Sequence, residues 1–454
     1  MAEDDVQHPL NVTVIGAGIG GLICAIACRR KGLGVQVLEQ AHEIRPVGAG
    51  IQLPPNASRI LSDLSLLEQV KEVANEVKSI KARRYADGKL LASKPASTHG
   101  PCMVLHRADY HKVLLDEATR LGVNITLNAK ATTVELDTGV VTLENGRTVT
   151  ADVVVGGDGL WSVTRSEMLG KASEPFETGD LAYRGTFSLE QLQHFNDQRI
   201  DELCRDPAVT VWFGPSKHCV FYPVRNSTQF NLVLLRPDNL PAGARSVQGD
   251  IGEMRQTFDG WDSVLTKIIS CMPTVLKWKL MHHDELEKWT NGCVALLGDA
   301  CHPTLPYQAQ GAAMAVEDGA IIGSLLGRLN SKLIQGVIPA SLQRESISSV
   351  LRLYEKSQKR RTTTNVQGAI DNRNFYHMPD GPEQEARDLE LAQHTWTEET
   401  SDHMWCDMAY NRELLGTDSI NNANALFDDW LQTIVPKTRS FKETPLAERV
   451  QRVA

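Results

Sequence analysis

The feature that most constrains the fold is a glycine-rich turn near the N-terminus. Residues 12–15 form an apolar run, Gly16-Ala-Gly18-Ile-Gly-Gly21 follows at once, and an apolar helical pattern then continues to Lys31. In a strand–turn–helix unit, the first glycine permits a tight turn, the second lets a phosphate approach the backbone, and the third lets helix and strand pack closely. The turn therefore predicts a βαβ unit in a parallel sheet, with a nucleotide pyrophosphate at the helix N-terminus.

The second strand of this unit, predicted over residues 35–39, ends in an acidic residue, Glu39. A carboxylate at this place can accept hydrogen bonds from a ribose diol. Glu39 therefore joins the three glycines as a candidate for nucleotide binding. The fingerprint alone does not separate FAD from NAD, so the choice depends on the rest of the chain.

Two further apolar runs end in aspartate-containing turns. Residues 152–155 lead into an Asp-Gly turn at Asp158, and residues 293–297 lead into a Gly-Asp turn at Asp299. Ligands of open α/β sheets bind beyond the carboxyl ends of the strands. Both aspartates are therefore predicted to lie at the ligand-binding edge.

Between these motifs, short β-like runs alternate with loops over residues 180–290, whereas residues 58–78 have a helical pattern. We predict an α/β fold with a Rossmann-like nucleotide domain, an inserted β-rich substrate domain and a helical C-terminal region. The predicted parts are residues 1–179 and 291–370 for the nucleotide domain, 180–290 for the inserted domain and 371–454 for a helical tail.

Charge and cysteine usage exclude several other classes. The 47 Lys and Arg against 56 Asp and Glu give a net charge of −9, which disfavours nucleic-acid binding. The nine cysteines form no Cys-x-x-Cys pair, so neither a disulfide framework nor a metal site is expected. The acidic N-terminus (Glu3, Asp4, Asp5) is unlike a signal peptide, and no stretch supplies the roughly 20 apolar residues of a membrane span. A cytoplasmic protein is predicted.

Taken together, the three motifs resemble those of the class A flavoprotein monooxygenases, the aromatic hydroxylases. Further matching segments are Gly48-Ala-Gly50-Ile-Gln-Leu-Pro-Pro-Asn56, which resembles the loop after the ribose acid; His106-Arg107-Ala-Asp109, which resembles a flavin-contacting segment; and Tyr222-Pro223, which resembles a substrate-domain strand. The similarity covers most of the chain and is greatest to salicylate-hydroxylase-like enzymes, including fungal secondary-metabolite members.

The resemblance implies FAD as the cofactor and assigns residues to it. These are Gly16, Gly18, Gly21 and Glu39 for the ADP half, Gly50 in the following loop, Arg107 for the flavin chain, Asp158 for the pyrophosphate region and the transient nicotinamide, Asp299 for the ribityl chain, and Pro303, Gly311 and Ala312 near the flavin ring. A helix N-terminus near Gly311 would stabilise the anionic reduced flavin. The segment departs from the family at Ala313, where an asparagine is common.

The same resemblance implies the reaction. NADH or NADPH would reduce the flavin, O2 would form a C4a-hydroperoxyflavin, and one oxygen atom would be transferred to an aromatic ring. Arg184, on the first strand of the inserted domain, would stabilise the peroxide or an anionic substrate. His218 and Tyr222 are four residues apart, so in a strand they share a face and can bind or deprotonate a phenol.

Two substrate classes are compatible with the sequence. One is a phenol or salicylate-like compound, which would be hydroxylated, and the other is an indole-type scaffold of a fungal alkaloid pathway, which would be epoxidised or rearranged. A positively charged pocket would favour the first and an apolar pocket the second. A flavin halogenase is disfavoured because its Trp-x-Trp-x-Ile-Pro motif is missing, and a Baeyer–Villiger enzyme because there is no second glycine fingerprint. A FAD-binding protein without oxygen chemistry is a weaker alternative.

The sequence does not distinguish a monomer from a homodimer. The polar segment 376–406 could cover the pocket or form a dimer contact.

Overall fold

The computed structural model describes residues 8–45, 48–96, 98–397 and 400–442, with side chains up to residue 434. The acidic residues 3–5 and the end of the predicted tail, residues 443–454, lie outside these ranges. Within them, no helix combines the length and the apolar character that crossing a membrane requires.

The chain contains both strands and helices throughout most of its length, in accord with the predicted mixture of α and β structure. The strands are β1 (Asn11–Ile15), β2 (Gly34–Leu38), β3 (Gly50–Leu53), β4 (Ala74–Val77), β5 (Ser79–Arg84), β6 (Leu90–Pro95), β7 (Cys102–His106), β8 (Asn124–Thr126), β9 (Ala131–Val134), β10 (Val140–Leu143), β11 (Thr148–Thr150), β12 (Val153–Gly156), β13 (Phe176–Ser188), β14 (Ala208–Gly214), β15 (Lys217–Val224), β16 (Gln229–Pro237), β17 (Ser246–Gln248), β18 (Leu276–His282), β19 (Thr290–Asn291) and β20 (Val294–Leu296). The α-helices are α1 (Ile19–Arg30), α2 (Pro55–Asp63), α3 (Leu67–Lys71), α4 (Arg107–Arg120), α5 (Val163–Leu169), α6 (Leu189–Gln193), α7 (Gln198–Arg205), α8 (Ile251–Thr257), α9 (Ser263–Ser270), α10 (Gly311–Ile334), α11 (Gln343–Tyr376), α12 (Pro382–Gln393), α13 (Met408–Gly416) and α14 (Ser419–Lys442).

A six-stranded sheet carries the glycine-rich turn. Its strand order is β19-β20-β12-β1-β2-β8, and all pairs are parallel except β19 with β20. Every residue of β12 and β20 is buried, in accord with the apolar runs expected of parallel strands covered on both faces. The carboxyl ends of β1, β12 and β20 therefore lie side by side, which brings the three motifs to one edge.

An eight-stranded, largely antiparallel sheet forms the second layer, in the order β17-β18-β13-β16-β15-β14-β5-β6. The strands of this sheet do not all come from the predicted inserted domain, residues 180–290. Strand β13 runs without a break across the predicted boundary at 179/180, and β5 and β6 come from the predicted nucleotide domain. The predicted helix over 58–78 is also wrong at its end, because α2 and α3 are followed by β4.

The two faces of the eight-stranded sheet pack against different partners. Neighbouring residues of β14 alternate between them: Trp212 packs with α8 and α9, and Phe213 packs with α11 and the C-terminal segment. Buried Asp180 on β13 joins the sheet to α11 through an ion pair with Arg373. The face that carries Phe213 is therefore closed by the C-terminal third of the chain.

Candidate active site

The glycine-rich turn leaves the N-terminus of α1 accessible. Gly16 has φ of +101°, and a Cβ there would overlap the carbonyl oxygen of Gly157, so this position requires glycine. A Cβ on Gly18 would meet no atom within 4 Å. Gly18 is the N-cap of α1 and makes no side-chain cap, so the first N–H groups of the helix face open space. This is the geometry that binds a phosphate.

The carboxylate of Glu39 is held at the edge of the same turn. One oxygen accepts a hydrogen bond from the Ala17 amide at 2.8 Å, and the other accepts from the Ala41 amide at 2.9 Å. Gly18, Arg107 and other residues line a cleft beside it. Because each carboxylate oxygen has a lone pair left, Glu39 can still accept hydrogen bonds from a diol in this cleft.

Asp158, by contrast, accepts hydrogen bonds from residues of its own turn. One oxygen accepts from Ser162 Oγ at 2.6 Å, and the other accepts from the amide and hydroxyl of Thr164 at 3.0 Å. The buried Arg165 in α5 donates to the Ala300 carbonyl at 3.2 Å and so ties the turn after β12 to the turn after β20. Asp158 therefore orders this edge of the sheet, and its contact with a cofactor stays a prediction.

Three charged side chains from different elements gather at the Arg107 end of this cleft. Arg107 opens α4, Arg184 is exposed on β13, and Asp299 is exposed in the turn after β20. Burial lowers the pKa of Arg107, the Arg184 cation lowers it further, and Asp299 raises it. Although Asp299 is accessible to water, it lies deep among protein atoms, and this desolvation raises its pKa against the opposing effects of His302 and Arg107.

The N-terminal part of α10 packs beside the turn that carries Asp299. Gly311 and Ala312 in its first turn are partly exposed, and the first turn contains neither an acidic residue nor a side-chain cap. The preceding loop, with buried Pro303, is held by a 2.6 Å contact between His302 Nε2 and Asp318. The helix dipole therefore presents positive potential to a group in the cleft.

Tyr222 and Gly50 meet beside Arg184. The Gly50 amide donates to Asn231 Oδ1 at 2.8 Å, and a Cβ on Gly50 would lie only 2.6 Å from the Tyr222 hydroxyl, so glycine is needed here. Burial raises the pKa of Tyr222, while the Arg184 cation and the neighbouring Asn231 amide lower it. Tyr222 thus adjoins the charged cleft.

A separate cavity, which we call the sheet cavity, lies between β14–β15 and the C-terminal third of the chain. Its volume is about 110 Å³. Its walls include Val211, His218, Tyr376 and Trp405, and it reaches the start of α10 at Gln310. His218 and Tyr222 pack on the same face of β15, as their spacing predicts, but only His218 lines this cavity. Arg184 and Tyr222 lie on the cleft side.

Lys94 lines the sheet cavity and is absent from the sequence-based candidates. Its Nζ donates to the Trp405 carbonyl at 2.8 Å and to Asn411 Oδ1 at 2.6 Å, and both partners are neutral. Burial lowers the pKa of Lys94 to about 8, partly offset by Cys406 and Asp407. An ammonium group has three donors, so one remains beyond these two bonds. The sequence does not mark Lys94 as a candidate, because a single Lys in a short, half-buried strand such as β6 forms no distinctive pattern.

Comparison with known proteins agrees with this geometry. The FAD binding domain family model matches residues 9–331. The chain is 38% identical to the FAD-dependent monooxygenase OpS4 of Beauveria bassiana, over 92% of this chain and 98% of that protein. It is 32% identical to the 3-hydroxybenzoate 6-hydroxylase of Polaromonas naphthalenivorans, over 82% and 90%.

Among solved structures, a salicylate hydroxylase substrate complex has the same fold, with a TM-score of 0.73 at 23% identity, over 92% of this chain and 97% of that one. The family model covers well over half of the chain, and the relatives align along nearly their whole length. The chain therefore belongs to the class A flavoprotein monooxygenases, the family of aromatic hydroxylases, and its cofactor is FAD.

Proposed function

We propose that this enzyme uses NAD(P)H and O2 to hydroxylate a small phenol that carries a carboxylate. The observation that carries the proposal is Lys94, a buried cation in the sheet cavity whose hydrogen-bond partners among the described residues are both neutral. A buried charge is stabilised by an opposite charge, and a carboxylate would supply one. A purely apolar indole would leave Lys94 without such a partner, so the carboxylated phenol is favoured over the indole.

The residues of the cleft fit FAD. The open α1 N-terminus and Glu39 suit a pyrophosphate and a ribose, Arg107 and Asp299 suit the chain that joins them to the ring, and the first turn of α10 suits an anionic ring edge. When bound, FAD would accept electrons from NAD(P)H and would pass them to O2, which activates the oxygen for transfer. The protein supplies position, charge and exclusion of water.

Each proposed catalytic side chain has a distinct task. In the sheet cavity, Lys94 would hold the carboxylate, and His218 would accept the phenolic proton, which makes the ring richer in electrons. Arg184 would place positive charge in the cleft, where Tyr222 adjoins it. The aromatic walls around the cavity would exclude water from the reacting ring.

A substrate screen tests the proposal. The purified, FAD-loaded protein would be assayed for NADH and NADPH oxidation with hydroxybenzoates, the matching phenols without a carboxylate, and indoles, and products would be identified with ¹⁸O2. We expect hydroxybenzoates to accelerate oxidation most and to gain one labelled oxygen. Stimulation by indoles alone would favour the alternative reaction, and no stimulation by any aromatic would contradict both.

Removal of the Asp299 carboxylate should weaken FAD binding. We expect Asp299→Ala to raise the dissociation constant for FAD about tenfold, because a charge-assisted hydrogen bond contributes about 1.5–3 kcal/mol. Flavin fluorescence during dilution measures this loss. Asp116→Ala serves as the control, since that side chain is 62% exposed on α4. A variant that keeps FAD as tightly as the parent would contradict the assignment.

A further inference from the structure

Two histidines form a direct pair in the wall of the sheet cavity. His218 Nδ1 lies 2.8 Å from His377 Nε2, and the two rings are 5.0 Å apart. His218 lines the cavity and is 2% exposed, whereas His377 follows α11 and is 9% exposed. His377 is thus the less buried of the two, and the pair leads from the cavity wall toward it.

A hydrogen bond between two neutral imidazoles needs one N–H and one lone pair. If His218 Nδ1–H donates to His377 Nε2, then His218 Nε2 is left as an acceptor. A proton that arrives at His218 Nε2 can then be matched by transfer of the Nδ1 proton to His377 Nε2. His377 becomes an imidazolium and can release its Nδ1 proton, which leaves the protons on His218 Nε2 and His377 Nε2. The starting tautomers return when the product phenolate takes the His218 Nε2 proton, the His377 Nε2 proton moves to His218 Nδ1 and a proton from solvent binds His377 Nδ1, so the proton count balances over the cycle.

The surroundings keep the pair uncharged. Burial lowers the pKa of His218 well below its usual value, and His377 lowers it further. Burial lowers the pKa of His377 to about 4, while Asp180 raises it and Arg373 lowers it. The Asp180 carboxylate is already bound by Arg373 and by the Tyr307 hydroxyl at 2.6 Å. The rings of Tyr307 and Tyr376 also pack against His218, at 5.1 and 5.3 Å between ring centres. No carboxylate contacts either imidazole among the hydrogen bonds and ion pairs of the described residues.

We propose that His377 is a positioning residue that fixes the tautomer of His218 and passes the substrate's phenolic proton from the sheet cavity to solvent. This proposal rests on the proposed function, in which His218 receives that proton. The pair differs from a histidine held by a carboxylate, because a second imidazole can take up a proton at one nitrogen and release another from its other nitrogen.

The test compares His377→Gln with His377→Phe. Glutamine can keep a hydrogen bond to His218 but cannot relay a proton, and phenylalanine does neither. The measurements are the ionisation of the bound phenol, followed by its absorbance change on mixing, and the pH profile of kcat. We expect His377→Gln to slow ionisation about tenfold near pH 7, with recovery at higher pH and on addition of imidazole. We expect a larger loss for His377→Phe.

His194→Gln, at an exposed position after α6, is the matched control and should behave as the parent. FAD content and melting temperature show whether each variant is folded. Unchanged ionisation rates in both His377 variants would overturn the proposal, as would an equal loss at every pH without rescue by imidazole. If the parent enzyme neither binds nor ionises any phenol, the proposed function itself fails, which distinguishes the two outcomes.

Discussion

Replacement of Lys94 by methionine is expected to lower kcat/KM for a carboxylated phenol about 100-fold, with little change for the same phenol without its carboxylate. Loss of one partner from a buried charged hydrogen bond costs about 2–5 kcal/mol, and each 1.4 kcal/mol is tenfold. The sensitive quantity is the ratio of the two kcat/KM values, because Lys94 also anchors Trp405 and Asn411. A general disturbance of the cavity would lower both values together.

Two comparisons sharpen this experiment. Lys94→Arg keeps a positive charge and should retain part of the preference for the carboxylate. Lys89→Met removes an exposed lysine from the same β5–β6 hairpin and should leave the ratio unchanged. If Lys94→Met keeps the parent's preference for the carboxylated substrate, Lys94 does not recognise the carboxylate.

The lowered pKa of Lys94 gives a pH dependence with a defined sign. A group with a folded-state pKa of about 8 loses its charge as the pH rises through that value. We therefore expect KM for a carboxylated phenol to rise above about pH 8, with a smaller change for the uncharged analogue. A bound carboxylate favours the charged amine and should raise the pKa of Lys94 in the enzyme–substrate complex. The decrease in kcat should therefore begin at a higher pH than the decrease in kcat/KM.

Local parts of the fold could be predicted because short-range rules determine them. The glycine-rich turn, the strands on either side of α1 and the apolar strands β12 and β20 each follow from neighbouring residues. The strands β5 and β6 were missed because they are short and only partly apolar, and their place is fixed by pairing with β14. Such pairing joins segments far apart in the chain, which no local pattern records.

The residues of the candidate site likewise fall into those that a local motif predicts and those that only the folded structure brings together. Glycines and strand-end aspartates sit in recognisable motifs, whereas Lys94 and Asn411 are separated by 317 positions and His218 and His377 by 159. Only packing of α11 and the C-terminal segment on the eight-stranded sheet brings these pairs together. That packing also places Trp405 in the cavity wall, so the polar segment 376–406, which had two possible roles in the sequence, helps to close the cavity.

Arg184→Ala is expected to separate cofactor reduction from product formation. Arg184 is exposed to the cleft, where its charge acts on both Arg107 and Tyr222. Removal of one preorganised charge or donor that stabilises developing negative charge typically costs 10²–10³ in rate. We therefore expect the rate of hydroxylation to fall about 100-fold, while FAD content and substrate-stimulated NAD(P)H oxidation stay close to those of the parent enzyme.

The measurement is the amount of hydroxylated product per NAD(P)H consumed, with H2O2 assayed in the same samples. In Arg184→Ala, H2O2 should account for the missing product, because O2 is still consumed but its oxygen is not transferred to the ring. Arg205→Ala, whose side chain is 72% exposed on α7, controls for loss of a surface charge. If Arg184→Ala couples NAD(P)H oxidation to hydroxylation as well as the parent does, then positive charge at this place is not needed for oxygen transfer. Arg107 and the first turn of α10 would then still supply positive potential in the cleft.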